Sequence, residues 1–501
     1  MRDIKARLTK GSLWISGGRV LTNLLAVVST IVLARLLVPA DFGLVALGTT
    51  MLAILSAITN LSMGAALVQH REPTDAHYHT AWTLGVVRGL GLAAIFCLLG
   101  LPLARLYGEP RLDEVMYALS VSVFLTGLTN PRLVMMQRKL VFWQVFVLHV
   151  VNHLVMAVVS IVVALLYQTY WALVAGAVAG QLVATILSYS LFPFRPHLSL
   201  RHAGELWSFS IWLTLGQAVK TMNYRFDHLL IGGFLGRPAL GYYTVGSNLA
   251  IVAAKEAVLP LTQTLFPAFS AVSDSMERLR RAYQRAQATV TAIALPAGIG
   301  FTLIADPLVR LTMGAKWAPA ILVIQVVGAA YAFGTLGTLV SPLAMAQGAT
   351  RYLFNRSLQL FVIRMPFIIA GMYFGGLIGL LVARAFVGLI GVVINMSMVR
   401  ELIGLTIREQ LRANLRCLAA AAAMVAVVLL VQHLLPQGTD EPILAARIVA
   451  SVVAGVATYL GASWCLWWAA GRPLGPETEA LELARTLSKR LRGARGSAVA
   501  E

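Results

Sequence analysis

Negative charge is scarce in this chain. It holds 21 Asp and Glu against 40 Lys and Arg in 501 residues, and charged side chains of either sign make up only 12% of it. A soluble domain averages roughly 25% charged residues, so the composition excludes a large soluble protein. Cysteine is equally sparse: Cys97, Cys417 and Cys465 lie in or at the ends of apolar segments, without the paired spacing of a disulfide framework or a zinc site. No GxxxxGK[ST] loop occurs, which argues against direct driving by a nucleotide. The basic opening MRDIKARLTKG is followed by no small-residue cleavage site, so the first apolar run is expected to stay as a helix and not be removed as a signal peptide.

What fills the space is apolar sequence. Hydrophobic residues reach 58%, in runs of about 20 or more separated by short polar breaks, which predicts an all-α polytopic membrane bundle and not a barrel. Fourteen spans are expected, near 12–37, 43–69, 81–107, 113–137, 142–167, 170–193, 205–235, 239–267, 283–310, 318–347, 353–374, 376–400, 413–435 and 443–470. With the N-terminus inside, 25 Lys and Arg fall on the cytoplasmic side. Only Arg35, Arg105, Arg111, Arg237, Arg310, Lys316 and Arg447 fall opposite, so both termini are expected in the cytoplasm. The net charge of +19 is thus spread over loops, and no nucleic-acid partner follows from it. The most basic loops, 273–285 and 400–416, suit contact with anionic headgroups. The tail after Pro473 places Glu477, Glu479 and Glu482 before Lys489, Arg490, Arg492 and Arg495, the order that a surface helix favours.

The sequence also repeats itself. A shift of 198 aligns Ser12 with Ser210, Trp14 with Trp212, Gly18 with Gly216, Leu37 with Leu235, Gly43 with Gly241 and Gly48 with Gly246. A shift of 205 aligns Pro102–Leu106, PLARL, with Pro307–Leu311, PLVRL. Two six-helix lobes in one orientation are therefore expected: an N-terminal lobe over 1–193, a cytoplasmic linker at 194–204 and a C-terminal lobe over 205–400. Peripheral helices follow over 401–470, and a cytoplasmic tail over 471–501.

Eight cations stand inside the expected spans: Arg19, Arg88, Arg132, Lys220, Arg225, Lys255, Arg364 and Arg384. Only Asp227 and Glu256 are comparably placed acids. A charge at the centre of a membrane helix costs about 3 kcal/mol on insertion scales, so such residues face a bundle interior or a wet cavity. In SIWLTLGQAVKTMNYRFDHLLIGGFLG, residues 210–236, Gln217, Lys220, Tyr224 and Asp227 form one polar stripe at helical spacing. With two acids against eight cations, internal pairing leaves a positive interior that would attract an anion. The plainer reading of the Ser, Asn and His stripes, such as His149, Asn152 and His153, is hydrogen bonding between helices. Arg132, near a span end, can snorkel to the headgroups. Asp227 either pairs with a cation or carries a coupling ion, and Glu256 has the same two readings.

Signs of catalysis are weak. The outward loops lack paired carboxylates, TDE at 439–441 being their only acidic cluster, and His70, His77 and His79 near Glu72 and Asp75 make a poor metal site. No metal, cofactor or catalytic residue is expected, and a membrane-embedded glycan polymerase or ligase is the least favoured class.

KGSLWISGGRV, VLARLLVPADFGLVAL, LYGEPRL, NYRFDHLLIGGFLGRPALGYYTVG, ERLRRAY and PLVRLTMGAKW, taken in order over residues 1 to about 435, resemble the polysaccharide transporter family. These are the Wzx-like flippases of the multidrug/oligosaccharidyl-lipid/polysaccharide exporter superfamily. The resemblance implies a bacterial inner-membrane flippase that moves an undecaprenyl-diphosphate-linked oligosaccharide to the periplasmic leaflet by alternating access. It further implies H+ or Na+ coupling and a possible association with polysaccharide polymerase and export machinery. On this basis Lys220, Arg225, Arg19, Arg88, Lys255, Arg364 and Arg384 are candidates to meet the substrate, and Asp227 and Glu256 candidates for the coupling ion. A small-molecule multidrug antiporter of the same superfamily is the alternative, and it would favour an acidic interior.

Overall fold

A computed structural model describes residues 2–59, 67, 73–135, 143–256, 258–473, 475–479 and 481, with the side chains of 2–16 and 205–216 and several single positions left aside. Sixteen α-helices make up the described chain. They are α1 Arg2–Leu36, α2 Pro39–Thr59, α3 Asp75–Leu106, α4 Arg111–Gly127, α5 Trp143–Tyr167, α6 Trp171–Leu191, α7 Ala203–Phe234 and α8 Gly236–Glu256. Then come α9 Leu259–Ser270, α10 Met276–Leu303, α11 Ala305–Thr312, α12 Ala318–Gly334, α13 Val340–Ala346, α14 Thr350–Ile403, α15 Ile407–Leu434 and α16 Glu441–Ala469.

Local chemistry explains many of the ends. Pro39 opens α2, where its missing N–H is not needed, and Asp113 and Glu114 sit in the first turn of α4 against the positive end of its dipole. At α15, Thr406 and Glu409 form a reciprocal capping box, the Thr406 N–H donating to Glu409 Oε2 at 2.8 Å. Gly404, with φ 68°, supplies the left-handed residue that stops α14. Within α14, Gly376 has φ 56° and ψ −135°, which only glycine adopts freely, and the chain folds back there. A Cβ on Gly371 would lie 2.4 Å from the Gly379 carbonyl oxygen, so the two arms of α14 touch backbone to backbone.

Ten helical segments among the described residues are long and apolar enough to cross a membrane, against the fourteen spans expected. The difference has physical sources. At 17 residues, α4 is short, α7 carries Lys220, Arg225 and Asp227, and α14 is one continuous helix only across its turn at Gly376. Large apolar side chains lie bare along these helices, among them Leu98 at 76% and Phe374 at 85% exposure, as suits surfaces solvated by hydrocarbon.

The chain falls into two compact units, Met1–Gly246 with Thr312–Ala320, and Ser247–Leu311 with Ile321–Glu501. In the first, small residues let helices approach closely: Gly176 and Gly180 of α6 against Ser160, Met156 and Asn152 of α5, and Gly85 and Gly89 of α3 against Gly127 of α4. The distant segment 312–320 is pinned to the end of α1. Lys316 Nζ donates to the Arg35 and Leu37 carbonyls, each at 2.8 Å, and so caps that helix, while Arg35 Nε donates to the Thr312 carbonyl at 2.6 Å. The buried Trp317 indole donates to the Ala34 carbonyl at 2.8 Å and meets Phe42 edge to face.

In the second unit, α15 and α16 share a core with α10 built on Leu295, Ile299, Ala421, Met424, Val428 and Tyr459. Tyr459 donates to the Ala292 carbonyl at 2.9 Å, and Gln432 to the Leu303 carbonyl at 2.8 Å, so polar contacts as well as apolar ones join these helices.

One contact in the first unit reflects the internal repeat. A Cβ on Gly43 would lie 1.9 Å from the Arg237 carbonyl oxygen, and a Cβ on Gly241 would lie 1.9 Å from the Pro39 carbonyl oxygen. Gly43 and Gly241 are 198 apart, as are Pro39 and Arg237. The starts of α2 and α8 therefore cross reciprocally, as in a two-fold contact where residue i meets j and j meets i. Beside the crossing, Glu109 and Arg237 form an ion pair at 2.6 Å.

Candidate functional site

From the crossing, α2 and α7 run alongside each other. Near the start of α2, Gly232 of α7 sits against the Leu47 side chain, where an added Cβ would lie 3.0 Å from Leu47 Cδ1. About 9–15 Å beyond Leu47 along α2, at the helical rise of about 1.5 Å per residue, the two helices flank a cleft. Its volume is about 510 Å³. Ala53, Ser56 and Ala57 of α2, Arg88 of α3, Thr126 of α4, and Gln217, Lys220, Thr221, Tyr224 and Arg225 of α7 line it. All belong to the first unit.

Three of these lining residues are cations and none is an acid. Lys220 and Tyr224 are exposed, whereas Arg88 and Arg225 are half-buried. Arg88 is held from below: Nη2 donates to the Ser56 carbonyl at 3.0 Å, and Nε points at Thr59 Oγ1 at 3.4 Å. These are neutral acceptors, so they orient the guanidinium without cancelling its charge. The arrangement can take a group with two or more anionic oxygens, matching planar Arg forks and the compact Lys ammonium. A chamber of about 210 Å³ adjoins it, and Ser56, Arg88 and Thr126 line both spaces.

The other expected site residues are placed elsewhere. Asp227 is fully buried and accepts a hydrogen bond from Tyr243 of α8 at 2.6 Å, with His228 edge-on to the same ring. Arg19 is exposed on α1 and does not line the cleft. Arg364 and Arg384 sit half-buried on α14 in the second unit, and Glu256 is half-buried at the end of α8. The side chain of Lys255, like His70 and Glu72, lies outside the described residues. Arg132 pairs with the exposed Asp75 at 2.6 Å and lies over the Phe194 ring. His77 stacks on His202 at 3.8 Å between ring centres, and His79 meets His197. Among the described residues, no cluster of three or more His, Cys, Asp or Glu could hold a metal ion.

Sequence reasoning missed Ser56, Thr126 and the chamber. Their signal is faint, because single Ser and Thr residues on membrane spans ordinarily hydrogen-bond their own helix. Only the packing of four helices reveals which of them meet.

A family described as Polysaccharide biosynthesis protein matches residues 32–322, more than half of the chain. The lipopolysaccharide biosynthesis protein WzxC of Escherichia coli (strain K12) is 24% identical over 81% of this chain and 84% of its own length. The succinoglycan biosynthesis transport protein ExoT of Rhizobium meliloti (strain 1021) is 23% identical over 58% of this chain and 59% of its own. The teichuronic acid biosynthesis protein TuaB of Bacillus subtilis (strain 168) is 20% identical over 92% and 96%. Among solved structures, the lipid II flippase MurJ in an inward closed conformation is similar with a TM-score of 0.74. It is 14% identical and covers 91% of this chain and 99% of its own. An inward-facing multidrug resistance MATE family transporter of the MOP superfamily follows with a TM-score of 0.60, 14% identity, and coverage of 79% and 95%. The fold is therefore like that of these two solved proteins. ExoT is a transport protein, MurJ a flippase and the MATE protein a transporter.

Proposed function

This chain belongs to the polysaccharide biosynthesis protein family, as a multi-pass membrane protein, and we propose that it flips a lipid-linked oligosaccharide from the cytoplasmic to the periplasmic leaflet of a bacterial inner membrane. The carrying observation is the cleft lining, in which Arg88, Lys220 and Arg225 meet no carboxylate among the described residues. A diphosphate bridging lipid and sugar, or acidic sugars beyond it, supplies the charge that such a cleft needs. The prenyl chain stays in hydrocarbon while the polar head occupies the cleft. A cationic drug would meet repulsion there.

In this reading the chain crosses the membrane fourteen times: α4, α7 and the joined α8 and α9 add to the ten apolar segments, and α14 crosses twice. Two six-helix lobes alternate access, Arg19, Lys255, Arg364 and Arg384 supply further positive charge along the path, and both termini are cytoplasmic. Asp227 and Glu256 are the coupling sites for H+ or Na+, Asp227 working through its bond to Tyr243. The test is genetic and chemical together. In the native host, Arg88→Ala, Lys220→Ala and Arg225→Ala, at wild-type protein levels, should stop polymer export and accumulate lipid-linked repeat units inside. Normal secretion by all three variants would overturn the reading.

A further inference from the structure

The connector between α6 and α7, residues 192–202, has no helix of its own, yet it is fastened along its length to other parts of the first unit. At its start, Asn130 Nδ2 donates to the Phe192 carbonyl at 2.7 Å, and Arg132 lies over the Phe194 ring. The first turns of α3 hold the rest. The His197 N–H donates to His79 Nδ1 at 3.2 Å, and the Ser199 N–H to Thr83 Oγ1 at 3.0 Å. His202, which precedes the first residue of α7, lies flat on the His77 ring at 3.8 Å between centres.

Two of these holds depend on a neutral imidazole. A backbone N–H can only donate, so His79 Nδ1 must present a lone pair, and its ring proton sits on Nε2. The same is true of His77, whose Nδ1 accepts the Thr74 N–H at 3.2 Å in the capping box that starts α3. Protonation would put an N–H where each acceptor stands, turning each bond into donor against donor. At His77 it would also press a cation against the His202 ring, and a charged His202 would face the positive end of the α7 dipole. The neighbouring groups do little to favour an imidazolium. Asp75 is already paired with Arg132, and Arg195, Arg201 and His197 of the connector are exposed. Tyr78 and Tyr189, which pack around Phe194, stay neutral in acid. Thr83, by contrast, donates to the His79 carbonyl and accepts from Ser199 at any pH.

We propose that His77 and His79 are an acid-released clamp, which holds the connector and the start of α7 against α3 while both rings are neutral and lets go when they are protonated. Protons bind preferentially to the released state, so the clamp is at full strength above the range in which histidine titrates and weakens as pH falls through it. The effect reaches the cleft, because α3 supplies Arg88 and α7 supplies Lys220 and Arg225 to its lining. The clamp is independent of what the cleft carries.

The test is hydrogen exchange read by mass spectrometry on the full chain purified in detergent, with labelling times scaled for the intrinsic pH dependence of exchange. Free histidine titrates near 6.5, so passing from pH 7.5 to pH 5.5 shifts release by about tenfold for each ring. The connector amides of His197 and Ser199 should therefore lose about tenfold or more of their protection, while α5 and α6 keep theirs. His77→Asn combined with His79→Asn puts an oxygen that does not titrate near the place of each Nδ1, and should abolish the pH dependence. Thr83→Val removes the acceptor that needs no neutral ring, and should raise connector exchange at both pH values while preserving their ratio. Equal protection of the wild-type connector at both pH values would overturn the clamp, whatever the variants do. So would an equal loss of protection in α5 and α6, or a pH dependence undiminished in the double Asn variant.

Discussion

Along α2 the molecule shows two opposite treatments of a neighbour. At its start, Gly43 and Gly241 let backbones cross with no side chain between them, and Gly232 admits Leu47. At its far end, Ser56 and Ala57 face Lys220, Tyr224 and Arg225 across open space. One end is closely packed, the other open and positive. Glycine makes close contact cheap in hydrocarbon, where van der Waals packing drives association, whereas three unbalanced cations hold water and await an anion. Helix α2 thus has one end packed closely against α8 and another that opens onto a cationic cleft with α7.

Reversing the charge at the receptive end should have the largest effect. Arg88→Glu places a carboxylate beside the substrate anion, where like-charge juxtaposition costs several kcal/mol, and export should fall by about 100-fold or more at constant protein level. Quantifying secreted polymer beside membrane-inserted protein checks this. Next, Gly43→Val forces a side chain into the Arg237 carbonyl and should destabilise the fold by at least about 1–3 kcal/mol. The reading is a lower melting point and lost monodispersity in detergent. Gly241→Val should match it, and the double variant should cost less than the two singles together, because both break one crossing. If the double variant were additive, the reciprocal contact would not be a single unit.

Asp227→Asn separates the two roles of that carboxyl. Asn keeps an acceptor for Tyr243, so melting should shift little, while export should drop about tenfold and lose its dependence on the ion gradient. Unchanged, gradient-dependent export would reduce Asp227 to a pin between α7 and α8. The smallest effect belongs to the sealed end. Glu109→Gln removes a partly exposed ion pair with Arg237 and should cost about 0–1 kcal/mol, visible as a minor shift in melting that salt diminishes.

Much of this was legible in the residues. Gln217, Lys220 and Tyr224 share a face by helical spacing, and all three line the cleft. Asp227 continues the same stripe three residues beyond Tyr224, about 4.5 Å along the axis, where Tyr243 of α8 already packs on the face. Periodicity gives the face of a helix and not the depth at which a cavity ends. The repeat was likewise readable as matched glycines, yet nothing in one dimension says that Gly43 and Gly241 meet each other's strand of chain. Arg132 stood out as an intramembrane cation, but its Asp75 partner lies 57 residues away, beyond any local pattern.

The central claim is that the cationic cleft carries a lipid-linked diphosphate across the membrane. The direct measurement is leaflet transfer of an undecaprenyl-diphosphate-linked oligosaccharide in vesicles containing the purified protein, followed by protection of the sugar from an added glycosidase. Transfer should run well above that of protein-free vesicles and be lost when Arg88, Lys220 and Arg225 are all replaced by Ala. Transfer at the protein-free rate by the wild type, or undiminished transfer by the triple variant, would contradict it.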